Sequence, residues 1–90
     1  MTGQPPNGTP RLRPGVRLTH DPTRGADLAL VPEGVLVLNE TASAVLALCD
    51  GRRTVPEIVG LLGARFTGVR AGDVAELLDR LVVRRVVVHG

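Results

Sequence analysis

The sequence predicts an α+β fold, a three-stranded antiparallel sheet followed by three helices. Three observations predict it: apolar and polar residues alternate in the first half, two helix-start signals follow, and a further apolar stripe at helical spacing lies near the C-terminus. With 90 residues the chain is long enough for one small domain. Phe66 is the only aromatic residue, so the core must consist mainly of Leu, Val and Ala.

The first half of the chain is predicted to form a meander of three strands. Apolar and polar residues alternate from Val16 to Thr19, and the loop at residues 21–25 has Pro and Gly at positions that favour a turn. A second break, Pro32-Glu33-Gly34, separates the next two apolar segments. The first strand therefore starts at Val16, the second is residues 26–31, and the third is residues 35–38.

The first two helices are marked by their own start signals. Asn39 is a good N-cap, because its side-chain oxygen can accept a backbone N–H of the first turn, and Gly51 is predicted to close that helix. Thr54 and Glu57 have the spacing of a capping box, which starts the second helix. Residues at helical spacing predict the buried faces: Ala42, Val45, Leu46 and Cys49 in the first helix, and Val55, Ile58, Val59, Leu62 and Phe66 in the second.

The third helix is predicted to begin between Ala71 and Asp73, after Gly68 has ended the second. Its predicted buried stripe is Val74, Leu77, Leu78, Leu81 and Val82. Residues 86–88 are either a short closing strand or a frayed end, and the sequence leaves both open. Gly60 and Gly63 lie within the second helix, where close packing against another helix would explain them.

Residues 1–14 are predicted to be a flexible N-terminal tail. They contain four of the seven prolines and no periodic apolar pattern, so they cannot bury enough apolar surface to become ordered alone. The folded domain is accordingly expected over residues 15–90.

Composition and charge exclude several classes of function. Eleven arginines, no lysine and nine acidic residues give a net charge of +2, and the charges are scattered, so charge alone does not indicate nucleic acid as a partner. The single cysteine excludes an internal disulfide, and no apolar run is long enough for a membrane. We therefore expect a cytoplasmic protein without a membrane partner.

The sequence offers little material for catalysis or metal binding. His20 and His89 have no second ligand three or four residues away, so both are expected to be solvated, and Cys49 falls on the apolar face of its helix. We predict no catalytic residue, no metal site and no cofactor.

The third predicted strand is the most suggestive segment. Val35, Leu36, Val37 and Leu38 are all apolar, although only one face of the strand can pack on the helices. As the last strand of the meander it would leave a row of backbone groups unpaired, with no charge or proline to block the edge. The tail, residues 86–88, a second copy of the chain in a homodimer, or a peptide that adds as a strand could each cover it.

Small strands with three helices are also typical of winged helix-turn-helix DNA-binding proteins. The charges of the last helix argue against that role, because Asp73, Glu76 and Asp79 occupy the half that would approach phosphates. A DNA-binding regulator is therefore kept only as the less favoured alternative.

Several short segments, in order, resemble the pyrroloquinoline quinone (PQQ) biosynthesis protein D family, PqqD. They are Pro10-Arg11-Leu12-Arg13-Pro14-Gly15-Val16-Arg17-Leu18, Leu30-Val31-Pro32-Glu33, Leu38-Asn39 and Cys49-Asp50-Gly51-Arg52-Arg53-Thr54-Val55-Pro56-Glu57-Ile58. The resemblance covers nearly all of residues 10–88. It implies a winged helix-turn-helix-like domain of the kind that recognises the precursors of ribosomally made, modified peptides (RiPPs).

The resemblance also implies a function and a site. Such a domain is not an enzyme: it acts as a chaperone that binds a precursor peptide (PqqA-like) and presents it to a radical SAM enzyme (PqqE-like). The peptide would add as a strand to the third strand, beside the third helix. The implied peptide-binding residues are Val35, Leu36, Val37, Leu38, Asp73, Glu76, Leu77, Arg80 and Arg84. A recognition element of another modified-peptide pathway, such as that of a lasso peptide, is the alternative.

Overall fold

The computed structural model describes residues 8–89, which form two small sheets and three helices. In chain order the elements are β1 (Pro10–Leu12), β2 (Arg17–Asp21), β3 (Ala26–Val31), β4 (Gly34–Leu38), α1 (Glu40–Ala47), α2 (Val55–Gly63), α3 (Ala71–Val83) and β5 (Val87–His89). The predicted α+β fold is confirmed, with the antiparallel sheet β2-β3-β4 preceding the three helices.

The N-terminal segment is more ordered than the sequence predicted. β1 pairs antiparallel with β5, Pro10 opposite His89 and Leu12 opposite Val87. The prediction that residues 10–14 belong to a flexible tail is therefore wrong over β1, and the domain starts before residue 15. The partner strand comes from the far end of the chain, so no local pattern reveals the pairing. Residues 1–7 lie outside the described range.

The β1–β5 pairing shows which of the two alternatives for residues 86–88, a closing strand or a frayed end, is correct. They are not a frayed end: Val86 and Val87 are buried, and Val87 begins β5. Since β1 and β5 pair with each other, neither covers the edge of β4.

The helix starts follow the predicted capping chemistry. Asn39 Oδ1 accepts the Ala42 N–H at 2.7 Å, which caps α1. At α2, the Thr54 N–H donates to Glu57 Oε1 at 2.8 Å and the Glu57 N–H donates to Thr54 Oγ1 at 3.3 Å, completing the capping box. Bonding to the Thr54 backbone N–H lowers the pKa of Glu57.

The helix ends differ from the prediction. α1 ends at Ala47, and Gly51 instead makes a left-handed turn (φ 81°) further on. α2 ends at Gly63, so the half-buried Phe66 lies in the following loop. Local signals locate these turns but not the residue at which packing stops each helix.

A single apolar core joins the sheet to the helices. α1 lies against β3 and β4, and α3 packs on α2 and β5. Cys49 is buried in this core, as predicted, whereas Val82 of the predicted α3 stripe is 37% exposed. The largest side chains that are almost fully buried are Leu46, Ile58, Leu62 and Leu78.

The glycines of α2 have a different environment from the one predicted. A Cβ atom added to Gly60 or Gly63 would meet nothing within 4 Å. Close helix packing therefore does not explain either glycine, and both glycines are exposed.

Candidate functional site

β4 forms an open edge of the three-stranded sheet. Its loop to β3 has only two residues, so Val31 and Gly34, which are partners in the register, form a hydrogen-bonded pair. Hydrogen-bonded and non-bonded pairs alternate in an antiparallel ladder. The N–H and C=O groups of Val35 and Val37 therefore point away from β3, and no strand within residues 8–89 pairs with them.

The side chains of β4 are apolar on both faces, as predicted. Leu38 is buried and Leu36 half-buried against the helices, whereas Val35 and Val37 are 58% and 56% exposed on the opposite face. β2, the other edge strand, carries the exposed Arg17 and His20. Charge on β2 and none on β4 makes β4 the better template for an added strand.

A hollow of about 300 Å³ lies between the start of α1, the helix that follows β4, and the start of α3. Its lining is Thr41, Phe66, Thr67, Gly68, Val69, Asp73, Val74 and Leu77. Two of the predicted site residues, Asp73 and Leu77, are thus in this hollow. Its apolar groups can accept an apolar side chain of a bound segment. We call it the apolar hollow.

A smaller hollow, of about 170 Å³, lies at the Gly34 end of β4. It is lined by Val31, Glu33, Gly34, Val35, Leu36 and Arg84. Three predicted residues, Val35, Leu36 and Arg84, therefore meet here. We call it the basic hollow, because Glu33 is already paired: Arg13 Nη2 donates to its two carboxylate oxygens at 3.1 and 3.4 Å.

The two hollows show how α3 runs relative to the open edge. Its N-terminal half contributes to the apolar hollow beside Thr41 of α1, and Arg84 at its C-terminal end reaches the basic hollow beside Gly34. α3 therefore extends from the start of α1, which follows β4, to the Gly34 end of the open edge. The predicted residues Glu76 and Arg80 are exposed on α3 and line neither hollow.

Sequence reasoning missed several residues around these hollows. Phe66 and Val69 were assigned to the core or to no role, yet both line the apolar hollow. Arg13 was placed in the tail, although it holds Glu33, and the pKa of Glu33 is lowered by its own backbone N–H and then by Arg13. The turn signal at Pro32-Glu33-Gly34 could have indicated Glu33, but nothing local connects it with Arg13, twenty residues earlier.

A second polar cluster lies at the start of α1. His20 Nδ1 is 2.8 Å from Asp27 Oδ1, and the Ser43 hydroxyl donates to Asp27 Oδ2. His20 is exposed, as expected, but it is not simply solvated. The three residue types occur in hydrolytic triads, where the histidine must contact the serine. Here the aspartate bonds both, so the cluster lacks the contact between nucleophile and base.

The other groups considered for chemistry are the Cys49 thiol and any cluster of metal-binding side chains. Burial raises the pKa of the Cys49 thiol to about 12, which makes it a poor nucleophile. Among residues 8–89, no group of three or more His, Cys, Asp or Glu side chains is arranged to hold a metal ion. None of the helices in this range is long and apolar enough to cross a membrane.

Together, the fold and the open edge define a class of protein: a small winged helix-like α+β domain in which, among residues 8–89, no strand pairs with the outer edge of β4. Comparison with known families makes this specific. The chain belongs to the PqqD family, coenzyme PQQ synthesis protein D, whose sequence model matches residues 28–87.

Relatives support the assignment along most of the chain. The PqqA binding protein 1 of Pseudomonas putida KT2440 is 36% identical over 81% of this chain and 82% of its own length. The PqqA binding protein of Klebsiella pneumoniae strain 342 is 44% identical over 76% of each chain.

Solved structures agree with the fold. The PqqD truncation of Methylobacterium extorquens PqqCD, a functional and stand-alone RiPP recognition element, is 37% identical and has a TM-score of 0.70. The match covers 89% of this chain and 88% of that chain. The heterocyclase TruD has a TM-score of 0.64 over 88% of this chain and 11% of its own, but at 18% identity it shows the shared fold alone.

Proposed function

We propose that this chain is a peptide-binding adaptor of PQQ biosynthesis that holds a PqqA-like precursor peptide as a fourth strand on β4. The family, together with relatives named for PqqA binding, supports the ligand. The single observation that carries the binding mode is the outward row of backbone groups at Val35 and Val37, flanked by the two hollows. Leu36 and Leu38 would form the inner part of the site, and Asp73, Glu76, Leu77, Arg80 and Arg84 its helical wall.

Strand addition fits the energetics of this edge. A peptide in extended conformation would satisfy the free N–H and C=O groups of Val35 and Val37 and cover apolar side chains on both faces of β4. Most of the cost is the ordering of the peptide, because the edge is already formed in the folded domain. Binding then needs no catalytic group, cofactor or metal in the adaptor.

As an adaptor, the chain would also contact the enzyme that receives the peptide. The related PqqD domain of Methylobacterium extorquens is part of PqqCD, which supports proximity of such domains to enzymes of the pathway. We propose that this chain presents its peptide in the cytoplasm to a radical SAM enzyme and is not itself an enzyme.

The test is a proline substitution that removes one outward N–H. Val37→Pro should leave the β3–β4 hydrogen bonds intact, because Val37 does not donate to β3, and the residue before it is already extended. We expect it to weaken binding of the Klebsiella pneumoniae PqqA peptide at least tenfold in a calorimetric titration. Val37→Ala is the matched control, since it loses the side chain but keeps the N–H.

The same proteins distinguish the alternatives. In the wild type, the peptide should shift the amide resonances of Val35, Val37 and the α3 residues that line the hollows. Equal affinity of Val37→Pro and wild type, with both folded, would rule out strand addition at β4. Sedimentation without peptide tests whether a second copy occupies the edge: in that case Val37→Pro would convert a dimer into a monomer.

A further inference from the structure

The basic hollow at the Gly34 end of β4 has an unbalanced charge. Its one acidic residue, Glu33, is held by Arg13, whose side chain is only 20% exposed. Arg84 lines the same hollow, and Arg85 is the next residue in the chain. The carboxylate of this hollow is therefore already paired with Arg13, while the positive charge of Arg84 in the same hollow has no ion-pair partner among residues 8–89.

Arg84 and Arg85 are free to bind another acidic group. Within residues 8–89, the arginines in ion pairs are Arg13, Arg24 and Arg53. Arg84 and Arg85 are both exposed, and both lie at the end of α3 that adjoins the open edge. A helix C-terminus favours cations, which accounts for Arg84 at the end of α3. The same effect does not explain why Arg85 occupies a backbone position that suits glycine.

Arg85 has a left-handed backbone, with φ of 62°, and is the one non-glycine residue with positive φ in the described range. It closes α3: its N–H donates to the Val82 carbonyl at 3.0 Å, and the Val86 N–H donates to the Leu81 carbonyl at 2.9 Å. Glycine is the usual residue at such a helix end, because a side chain there is sterically disfavoured. A side chain at this conformationally costly position supports a functional use for the arginine.

We propose that Arg84 and Arg85 bind a carboxylate side chain of the peptide, opposite the Gly34–Leu36 part of β4. This inference rests on the proposed function, because the peptide must first add to β4. Arg13 contributes indirectly by neutralising Glu33, which would otherwise repel the peptide's carboxylate. The ligand is therefore a peptide strand that carries an acidic residue opposite the Gly34–Leu36 part of β4.

The experiment pairs protein and peptide substitutions. Arg84→Gln, Arg85→Gln and Arg85→Gly are titrated with Klebsiella pneumoniae PqqA and with variants in which each Asp or Glu is changed in turn to Asn or Gln. Each arginine substitution should weaken binding of the unmodified peptide about tenfold, as expected for a lost charge-assisted hydrogen bond. For one peptide variant the arginine substitutions should have no further effect. Arg52→Gln, an exposed arginine of the loop before α2, controls for net charge.

Arg85→Gly separates binding from folding. Glycine relieves the left-handed backbone, so this variant should unfold at a higher urea concentration while its affinity falls; a merely structural arginine would not produce both changes. If Val37→Pro abolishes binding but the arginine variants bind as wild type, or lose affinity equally for every peptide variant, this inference is overturned and the proposed function stands. If the wild type does not bind PqqA, or Val37→Pro binds equally well, the proposed function fails first.

Discussion

The backbone N–H of Gly51 donates to the carbonyl oxygen of Pro10 at 3.0 Å, which ties β1 to the loop after α1. Gly51 has φ of 81°, and a Cβ atom added to it would lie 3.4 Å from the Arg11 side chain. This glycine therefore meets two requirements at once: a left-handed turn and close approach of another chain segment. A bridge between Arg11 and Asp50 continues the contact.

Gly51→Ala should lower the free energy of unfolding by about 1–2 kcal/mol, the usual cost of a left-handed alanine, and by more if Arg11 cannot move. Urea unfolding followed by far-UV circular dichroism measures it. Gly68→Ala is the matched control, because Gly68 has φ of 82° but open space around its Cβ position. An equal loss in the two variants would show that the approach of Arg11 costs nothing.

Removal of β1 should destabilise the whole domain. A chain that starts at Pro14 exposes Val86 and Val87, which are 0% and 1% exposed in the intact fold. The loss should be about 3–6 kcal/mol, since burying each of the two valines contributes about 1.5–3 kcal/mol. A chain that starts at Gly8 retains β1 and is the control. Equal stability of both truncated chains would contradict a structural role for β1.

Gly60→Ala should stabilise the protein. The added methyl group meets nothing within 4 Å, and alanine is favoured over glycine in a helix interior by about 1 kcal/mol. The midpoint of urea unfolding should therefore rise, while affinity for the peptide stays unchanged because α2 lies away from β4. A fall in the midpoint would indicate that Gly60 packs against a partner after all.

The Asp27 cluster predicts a specific pH dependence. The Ser43 hydroxyl, followed by His20, lowers the pKa of Asp27 from its ordinary 3.8. A lowered pKa in the folded state stabilises the protein fully above pH 3.8, and this contribution is lost as the pH falls through the folded value. Asp27→Asn should thus lower the urea midpoint at pH 7.

The difference between Asp27→Asn and wild type should close as the pH falls below about 3.8. Asp79→Asn, an exposed substitution on α3, is the control and should change little at either pH. A difference that persists unchanged at low pH would show that the hydrogen bonds do not depend on the Asp27 charge.

Much of the fold followed from short-range signals. Asn39 and Thr54 started their helices as predicted, and the breaks at Pro22 and Pro32 separated the strands correctly. These signals act between residues a few positions apart, so the sequence contains all the partners. The open edge at Val35–Leu38 was likewise visible as an unusual apolar run.

The errors occurred where the partner is distant. Pro10–Leu12 has no strand pattern of its own and is ordered by β5, and Phe66 leaves its helix to line a hollow formed with α1 and α3. Arg13 and Glu33 likewise meet only in the folded chain. Among the site residues inferred from the family, the fold brings Asp73, Leu77 and Arg84 to the hollows and leaves Glu76 and Arg80 outside them.

The sequence by itself determined the order of the elements, their caps and the apolar character of the third meander strand, because capping, turns and periodicity act within a few residues. Only the tertiary structure decided that β1 and β5 pair with each other and leave β4 open. It also decided which β4 groups point outward and which charges gather beside Gly34. These features depend on register and packing between segments from opposite ends of the chain, which no local pattern specifies.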